Sequence, residues 1–515
     1  MCSTTNANAF RCQIEITLWP KWASSEMESV LSHEIKIRSF QILASIATGL
    51  LLRLVLGLDP VWWLAWLAPV PLLLLAFRFD EANARWIVAL AAIIGISSNF
   101  HYYRVVMPLA AAIAVVAVQA WLWVFVVLAS RRLVDRHKAW WVAFVYPVLW
   151  VAVDTLMAAF LPDGNWASLA YSQSDVLPVL QIASLFGVGG VLFLIALIPS
   201  TLAVAISQGG KLRNGWIAYA TAILLLFGSI GYGVARLRRP VDGKETIFGL
   251  IAVDDAIGLK ASAGYSSNIL KEYDRGVVSL AGRGAQVIVL PEKVAMLTPI
   301  LAQRWQQHLG EMAGRNHVWL EAGVGIEDGK SRVNLAWLFT NEGALAASYQ
   351  KHHMAPPERR DQYSSGSDYA VHKIDGQTYG LAVCKDMHFA ALGRAYGKLQ
   401  ACVMLVPAWD FAYLDAWLEA RTTVARGVEN GYSVVRSSRE GLLTVSDAYG
   451  RVLAERKSGA MPGSLLLAKM KIGDRVPTLY THIGDLFGWI CVMVSGGFLL
   501  MDRRGSVVAG QISED

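Results

Sequence analysis

The sequence predicts a bundle of membrane-spanning helices joined to an α/β domain that lies outside the membrane. Three observations lead to this fold class. Hydrophobic residues make up 55% of the 515 residues and charged residues 17%, whereas soluble globular chains carry about 25% charged residues. Apolar runs long enough to cross a bilayer, which takes roughly 17–25 residues, fill most of 40–235. The stretch 236–485 instead alternates strand and helix patterns, as a layered α/β sandwich does.

The apolar runs predict about eight membrane spans. Seven lie in the first half of the chain, at Phe40–Leu58, Val61–Phe77, Trp86–Tyr103, Val105–Ser130, Trp140–Phe160, Val179–Ile206 and Gly215–Ala235. The eighth, Leu486–Met501, is slightly short. We therefore divide the chain into a polar N-terminal extension (1–38), a membrane domain (39–235), an outer domain (236–485), a last span (486–501) and a tail (502–515).

The loop charges predict the orientation in the membrane. Arg131, Arg132, Arg136 and Lys138 follow the fourth predicted span, whereas the loop 161–178 contains no Lys or Arg. By the positive-inside rule both termini face the cytoplasm, and the outer domain lies on the other side. Because the net charge of +6 sits in such loops, we expect no nucleic-acid partner. The five cysteines form an odd set without a CxxC pair, which disfavours a disulfide framework and a zinc site.

The sequence of the outer domain predicts strands interleaved with helices. The apolar, β-branched runs bounded by turns predict strands at Thr246–Val253, Ala285–Leu290, Val318–Val324, Asn334–Thr340, Gly380–Val383 and Ala401–Val406. Helical patterns occupy Asn268–Gly282, Ile300–Arg315 and Ala416–Glu429.

Three candidate catalytic residues each follow a strand or open a loop. They are Glu292, Lys351 and Cys384. Taken singly, each has a structural explanation, since a cysteine after an apolar strand is more often an inert core residue. Together they supply what covalent acyl transfer requires: a nucleophile, a base and a cation for the developing oxyanion. The adjacent His352 and His353 point in different directions, so we expect neither a metal site nor another cofactor.

Several motifs carry a family resemblance. The segments LPEKV, YQKHHMAPPE and AVCKDMHF resemble the nitrilase, or carbon–nitrogen hydrolase, superfamily. The membrane segments NWASLAYSQSDVLPVLQIASLFGVGGVLFLIAL and TLYTHIGDLFGW, with the arrangement of spans, resemble the bacterial apolipoprotein N-acyltransferase family. This resemblance implies a nitrilase-like αββα sandwich facing the periplasm, on a multi-pass protein of the bacterial inner membrane.

The resemblance also implies a reaction in two steps. Cys384 would attack an acyl ester of a phospholipid, the acyl donor, and hold the chain as a thioester. The N-terminal amine of a diacylglyceryl-cysteine lipoprotein, the acceptor, would then take the acyl group. Glu292 matches the general base of the family, and Lys351 matches its oxyanion-stabilising lysine.

Three further residues are implied in substrate binding or support. Glu358 matches the additional glutamate of the family's lysine loop, Asp386 stands where the family has Glu, and Trp409 is matched in the strand-end motif. The lysine loop departs from the family pattern Lys-x-x-Leu-Val-Pro-Phe-Gly-Glu, because this chain has Met354-Ala-Pro-Pro-Glu358. The segment Val406–Phe411 departs from the family as well.

Two alternatives stay open, the first of them because of these departures. An amidase-type hydrolase, or an acyltransferase for a different amine, would keep the nucleophile and change the acceptor. A catalytically idle membrane scaffold would bind lipid or protein through the outer domain. In each case we expect a monomer.

Overall fold

The computed structural model describes residues 21–209 and 212–512, with side chains over 33–209 and 212–502. The first half of the described chain is entirely helical. Its α-helices are α1 (Lys21–Arg53), α2 (Pro69–Arg78), α3 (Glu81–Ile96), α4 (Phe100–Val106), α5 (Leu109–Arg136), α6 (Val145–Phe160), α7 (Leu177–Leu180), α8 (Ala183–Gln208) and α9 (Gly215–Leu237). Helix α1 begins inside the stretch predicted as a polar, unpatterned extension, so residues 21–38 are helical. Residues 1–20 of that extension lie outside the described residues.

The expected eight spans are corrected to six full-length ones. In the described part of the chain, six helices are long and apolar enough to cross a membrane: His33–Arg53, Glu81–Val106, Leu109–Arg136, Trp140–Phe160, Ala183–Gln208 and Gly215–Leu237. The second and eighth predicted spans are the shorter apolar helices Leu64–Arg78 and Leu486–Asp502. Regular helix in the former is confined to α2, whose ten residues extend about 15 Å, half of the ~30 Å hydrocarbon core.

The second half contains two β-sheets packed face to face. The strands are β1 (Lys244–Ala252), β2 (Val287–Val289), β3 (Met296–Leu297), β4 (Trp319–Glu327), β5 (Arg332–Phe339), β6 (Leu345–Gln350), β7 (Ala370–Ile374), β8 (Gln377–Leu381), β9 (Val403–Trp409), β10 (Ser433–Arg439), β11 (Leu442–Ser446), β12 (Val452–Lys457) and β13 (Ser464–Ile472). One sheet has the order β13-β1-β2-β4-β5-β6, with β3 beside β4. The other has the order β12-β11-β10-β9-β8-β7.

Helices cover the outer face of each sheet. The second half contains α10 (Ala263–Gly282), α11 (Pro299–Asn316), α12 (Pro356–Arg360), α13 (Ala390–Lys398), α14 (Ala416–Asn430), α15 (Leu479–Ile483) and α16 (Leu486–Ile512). Helices α10 and α11 pack on the first sheet, and α14 packs on the second. Between the sheets lies an apolar core that includes Phe248, Leu381 and Val435. The predicted αββα sandwich is therefore confirmed, and each predicted strand is present with shifted ends.

Buried polar contacts join the sandwich to the membrane helices. Helix α8 is broken at Gly187, whose φ is +66°, and the next amide, that of Val188, donates to Glu429 Oε1 of α14 at 2.9 Å. Glu429 also pairs with Arg426, and Arg426 donates to the Tyr171 hydroxyl. Arg426 and Glu429 are completely buried. A buried charge is costly unless it is paired, so this junction requires both halves of the chain.

Candidate active site

The ends of three strands bring the predicted catalytic residues together. Glu292 comes just after β2, Lys351 directly after β6, and Cys384 shortly after β8. Strands β2 and β6 belong to one sheet and β8 to the other, so the residues converge from the two facing layers of the sandwich. All three side chains are buried.

Two carboxylates and two ammonium groups form the centre of the site. Lys351 Nζ donates to Glu292 Oε1 at 3.0 Å and to Glu358 Oε2 at 2.8 Å. Lys293 Nζ donates to Glu358 Oε1 at 2.8 Å. Asn334 Nδ2 lies between the carboxylates, 2.5 Å from Glu292 Oε1 and 2.7 Å from Glu358 Oε1. Neither Lys293 nor Asn334 was predicted as a site residue. Lys293 could have been found, because it directly follows Glu292 in the sequence.

Electrostatics keeps Lys351 and Glu358 ionised. Burial alone would lower the pKa of Lys351, but the charges of Glu292 and Glu358 outweigh it and raise that pKa well above its usual value. Burial likewise opposes ionisation of Glu358, but Lys351 and Lys293 hold the pKa of its carboxyl well below the usual range. At neutral pH Lys351 is therefore an ammonium. With two of its three hydrogens given to carboxylates, it has one left for a developing oxyanion.

Cys384 occupies a strained turn beside this cluster. Its φ is +47°, a left-handed conformation that is uncommon for a residue other than glycine. Its Sγ lies 3.6 Å from the carbonyl oxygen of Trp409. Burial and the charge of Glu292 raise the pKa of the thiol well above its usual value, and Lys351 acts in the opposite direction. The resting sulfur is thus a thiol, and attack requires a base to take its proton.

Asp386 ties the lysine loop to the cysteine turn. Its Oδ1 accepts from the backbone amides of His352 at 3.1 Å and His353 at 2.9 Å. Its Oδ2 accepts from the Tyr349 hydroxyl at 2.8 Å and from the Val383 amide at 3.1 Å. The side chain is fully buried, and it holds the backbone on both sides of the site. Such contacts are the ones expected of a residue that positions others.

Two basic side chains lie against the ring of Trp409. The Cζ atom of Arg439 lies 3.7 Å from the centre of its ring, and Lys293 Nζ lies 5.1 Å away. Cations over an indole face are attracted by the ring quadrupole. Trp409 therefore orders both basic side chains while its carbonyl faces the nucleophile.

The two adjacent histidines have separate surroundings. His352 Nε2 lies 3.1 Å from the carbonyl oxygen of Asp368, and the His353 ring stacks on Phe389 with 3.7 Å between centroids. Within the ranges that the structure describes, no group of three His, Cys, Asp or Glu residues is placed to hold a metal ion.

A cavity of about 350 Å³ begins at Cys384 and continues between the membrane helices. Its walls on the membrane side are mostly apolar, from Val106, Met107, Val115, Val118, Leu122 and Met157. A second cavity of about 70 Å³ lies deeper in the bundle and shares Leu122 and Met157 with the first. Apolar walls of this kind suit a hydrocarbon chain.

Charged side chains close the rim of the Cys384 cavity. Lys385 pairs with Asp163, which lies in the loop after α6. Arg359 of α12 donates to the same carboxylate at 3.0 Å. The rim therefore links the membrane helices to the loop that follows Lys351 and to the turn that begins at Cys384.

Comparison with known proteins bears on both halves of the chain. A family model described as the apolipoprotein N-acyltransferase N-terminal domain matches residues 48–201, and a carbon-nitrogen hydrolase model matches residues 260–467. The chain belongs to the apolipoprotein N-acyltransferase family. The resemblance predicted from the sequence is thereby confirmed.

Relatives of this family align along most of the chain. The apolipoprotein N-acyltransferase of Geobacter metallireducens is 25% identical over 493 residues, which cover 87% of this chain and 93% of that protein. That of Bradyrhizobium diazoefficiens is 24% identical and covers 76% of this chain and 79% of its own. A deaminated glutathione amidase of Synechocystis sp. is 29% identical over 36% of this chain and 80% of its own. Among solved structures, an amidase from Nesterenkonia sp. is 23% identical with a TM-score of 0.39, covering 45% of this chain and 92% of that chain.

Further polar residues of the site had no sequence signal. Lys385, His388, Asp415 and Glu419 line the Cys384 cavity. His388 and Glu419 are in contact, but they come from different elements. The catalytic and supporting roles given to the predicted residues remain predictions.

Proposed function

We propose that the protein moves a fatty acyl chain from a phospholipid, through a thioester on Cys384, to the N-terminal amine of a diacylglyceryl-cysteine lipoprotein. The carrying observation is the cavity that joins the Cys384 turn to the apolar interior of the membrane helices. A soluble acyl donor would need no such path. The names of the family relatives agree with this activity.

In the first step the donor ester lies at Cys384 with its acyl chain in the cavity. Glu292 takes the thiol proton while Sγ attacks the ester carbonyl carbon. The remaining Nζ hydrogen of Lys351 stabilises the oxyanion. The carbon–oxygen bond then breaks, and Glu292 returns the proton to the leaving lysophospholipid. Glu358 and Asn334 hold both groups in place, since they contact Lys351 and Glu292 at 2.8 Å and 2.5 Å.

In the second step the acceptor amine attacks the thioester carbonyl. The carbon–nitrogen bond forms, the carbon–sulfur bond breaks, and the sulfur regains a proton. The apolar walls exclude water, which would otherwise hydrolyse the thioester. No cofactor takes part in either step of this scheme.

The proposed setting is the inner membrane of a bacterium. The outer domain, residues 236–485, would face the periplasm, where lipoprotein acceptors would reach it. The six long apolar helices support membrane insertion. The proposed orientation counts the shorter apolar helix Leu64–Arg78 as a seventh crossing before the outer domain, and the Lys and Arg content of the loops supports it. We propose a monomer, because both substrates reach a site built within one chain, and no role for nucleic acid.

The decisive experiment looks for the thioester. Purified protein in phospholipid vesicles should gain the mass of one acyl group on Cys384, measured on the intact protein. The Cys384→Ala variant should gain none, whereas Cys402→Ala, which removes a buried thiol of the sandwich core, should behave as wild type. Absence of the adduct in wild type would contradict the proposal and favour an idle scaffold.

A hydrolase is the second candidate, favoured by the amidase relative and by the altered lysine loop. A synthetic diacylglyceryl-cysteine peptide with a free amine separates the two. An acyltransferase converts the adduct into an N-acylated peptide, whereas a hydrolase releases free fatty acid at the same rate with or without the peptide.

A further inference from the structure

One wall of the Cys384 cavity is polar and charged. His388, Asp415 and Glu419 line it, and each is more than nine-tenths buried. His388 ends the short turn that begins at Cys384, and Asp415 and Glu419 stand at the start of α14. The two-step scheme proposed above assigns no role to any of them.

His388 and Glu419 form a hydrogen-bonded pair. His388 Nε2 lies 2.5 Å from Glu419 Oε2, and Trp166 donates to Glu419 Oε1 at 2.7 Å. Burial raises the pKa of Glu419, but its contact with His388, the charge of Arg436 and the Trp166 hydrogen bond outweigh this and lower it. Burial also lowers the pKa of His388, so the ring is neutral.

This pairing determines the tautomer of His388. An ionised carboxylate can only accept hydrogen bonds, so Nε2 carries the hydrogen and Nδ1 carries the lone pair. Nδ1 is buried and has no hydrogen-bond partner among the residues described. A neutral imidazole oriented by a carboxylate, with its second nitrogen unprotonated, is the arrangement of a general base.

Asp415 adds a second unpartnered atom to the same wall. Its Oδ1 accepts from the Phe411 amide at 2.8 Å, whereas its Oδ2 is buried without a partner in the described ranges. Burial and the charge of Glu419 raise the pKa of Asp415 well above its usual value. A cation beside both carboxyl groups would favour the charged form of each.

These observations indicate which kind of ligand group would fit this wall of the cavity. Buried polar atoms nearly always have hydrogen-bond partners, and here two atoms without one belong to residues that line one wall of the cavity beside the nucleophile. A primary ammonium has three N–H donors and one positive charge. It therefore matches the lone pair of His388 Nδ1, the negative charge of Glu419 and, once its own charge has ionised the Asp415 carboxyl, the Oδ2 atom of that residue.

We propose that His388, Asp415 and Glu419 form the binding subsite for the primary amine of the acyl acceptor, and that His388 Nδ1 takes the proton this amine must lose. The inference rests on the proposed function and deepens its second step. Glu292 then serves the thiol, and His388 serves the amine.

The acceptor nitrogen loses two protons in the second step. The acceptor enters as an ammonium, and one proton moves to His388 Nδ1, which leaves an imidazolium paired with Glu419. The free amine attacks the thioester carbonyl, a carbon–nitrogen bond forms, and the carbon–sulfur bond breaks. The second proton of the nitrogen passes through Glu292 to the Cys384 sulfur, and the imidazolium later gives its proton to water.

The test measures the two half-reactions separately in phospholipid vesicles. Acyl-Cys384 is first allowed to accumulate without acceptor, and a synthetic diacylglyceryl-cysteine peptide with a free amine is then added. In His388→Gln the amide can still donate to Glu419 but cannot take a proton. We expect its thioester to form within about twofold of the wild-type rate and its discharge to the peptide to fall by about 10²-fold. Asp415→Asn should raise the peptide concentration needed for half-maximal discharge.

A matched control and three outcomes make the test decisive. Asp175→Asn removes a carboxylate that pairs with Arg421 of α14 but does not line the cavity, and it should leave both half-reactions unchanged. Equal losses in both half-reactions of His388→Gln would indicate a structural role and overturn the inference. An unchanged rate of thioester discharge to the peptide would overturn the inference too. It would show that water is the only partner that His388 Nδ1 needs. A wild-type protein that forms no adduct would instead refute the proposed function itself.

Discussion

Blocking the deep end of the Cys384 cavity should change which acyl chains the enzyme accepts. Val115, Val118 and Leu122 of α5 line this cavity, and Leu122 also borders the smaller cavity below it. In Leu122→Trp the larger ring would occupy the last helical turn of the cavity. We expect the variant to discriminate against long chains while its chemistry at Cys384 continues.

The size of the effect follows from the geometry. The four helical steps from Val118 to Leu122 rise by about 6 Å, which corresponds to about four methylene groups, since each extends a chain by slightly less than the ~1.5 Å carbon–carbon bond. In the variant, a chain that is too long by four methylenes must leave them exposed to water, which costs about 0.8 kcal/mol each, or about 3 kcal/mol in all. At 1.4 kcal/mol per factor of ten, the preference should shift by roughly 10²-fold.

The assay makes two phospholipid acyl chains of different length compete for Cys384. Vesicles contain equal amounts of two phospholipids whose acyl chains differ by four methylenes, and the masses of the Cys384 adducts are compared. The control, Ala117→Trp, adds the same ring to an exposed position of α5 that does not line the cavity. Leu122→Trp adducts with the wild-type ratio of chain lengths would refute the reasoning.

Three further predictions concern buried groups. Glu358→Gln leaves two ammonium groups facing Glu292 alone, and it should lower stability by about 3–5 kcal/mol and slow adduct formation; an unchanged Tm would contradict this. Both carboxylate oxygens of Glu321 are buried without a partner in the described chain, and burial raises its pKa well above 4.5. Its stabilising contribution is therefore complete below about pH 4.5 and is lost at up to about 1.4 kcal/mol per pH unit as the pH rises, so Tm should fall less between pH 5 and pH 7 in Glu321→Leu than in wild type. Gly187→Ala places a Cβ 2.6 Å from the Tyr480 ring at a φ of +66° and should cost about 2 kcal/mol, whereas Gly189→Ala, with 3.5 Å to its nearest contact, should be nearly neutral.

Sequence patterns predicted the helices and strands whose buried side chains are apolar. The strand β1 has a continuous run of Ile, Phe, Leu and Ala, and its buried residues follow that run. The strand β10 reads SVVRSSR and is buried along its whole length. Its Arg436 lies in the interior because it pairs with Asp410 from the loop after β9. No local periodicity reveals such a strand, since its partner belongs to another segment of the chain.

The same distinction applies to the site. Glu292, Lys351 and Cys384 were predictable because each follows a strand, and strand ends often carry reactive groups. Asn334 lies within β5 and is defined by the two carboxylates that it bridges. The pair formed by His388 and Glu419 joins a turn to a helix across 31 positions. Such contacts depend on how the layers pack, which a single sequence does not specify.

The junction between α14 and α8 has a consequence for any attempt to isolate the outer domain. If residues 236–485 were expressed alone, Glu429 would lose the Val188 amide, and Arg426 would lose the Tyr171 hydroxyl. The apolar side of α14, including Leu418, Ala425 and Val428, would face solvent. Such a fragment should aggregate. The membrane helices are therefore an integral part of the folded enzyme and not a removable anchor.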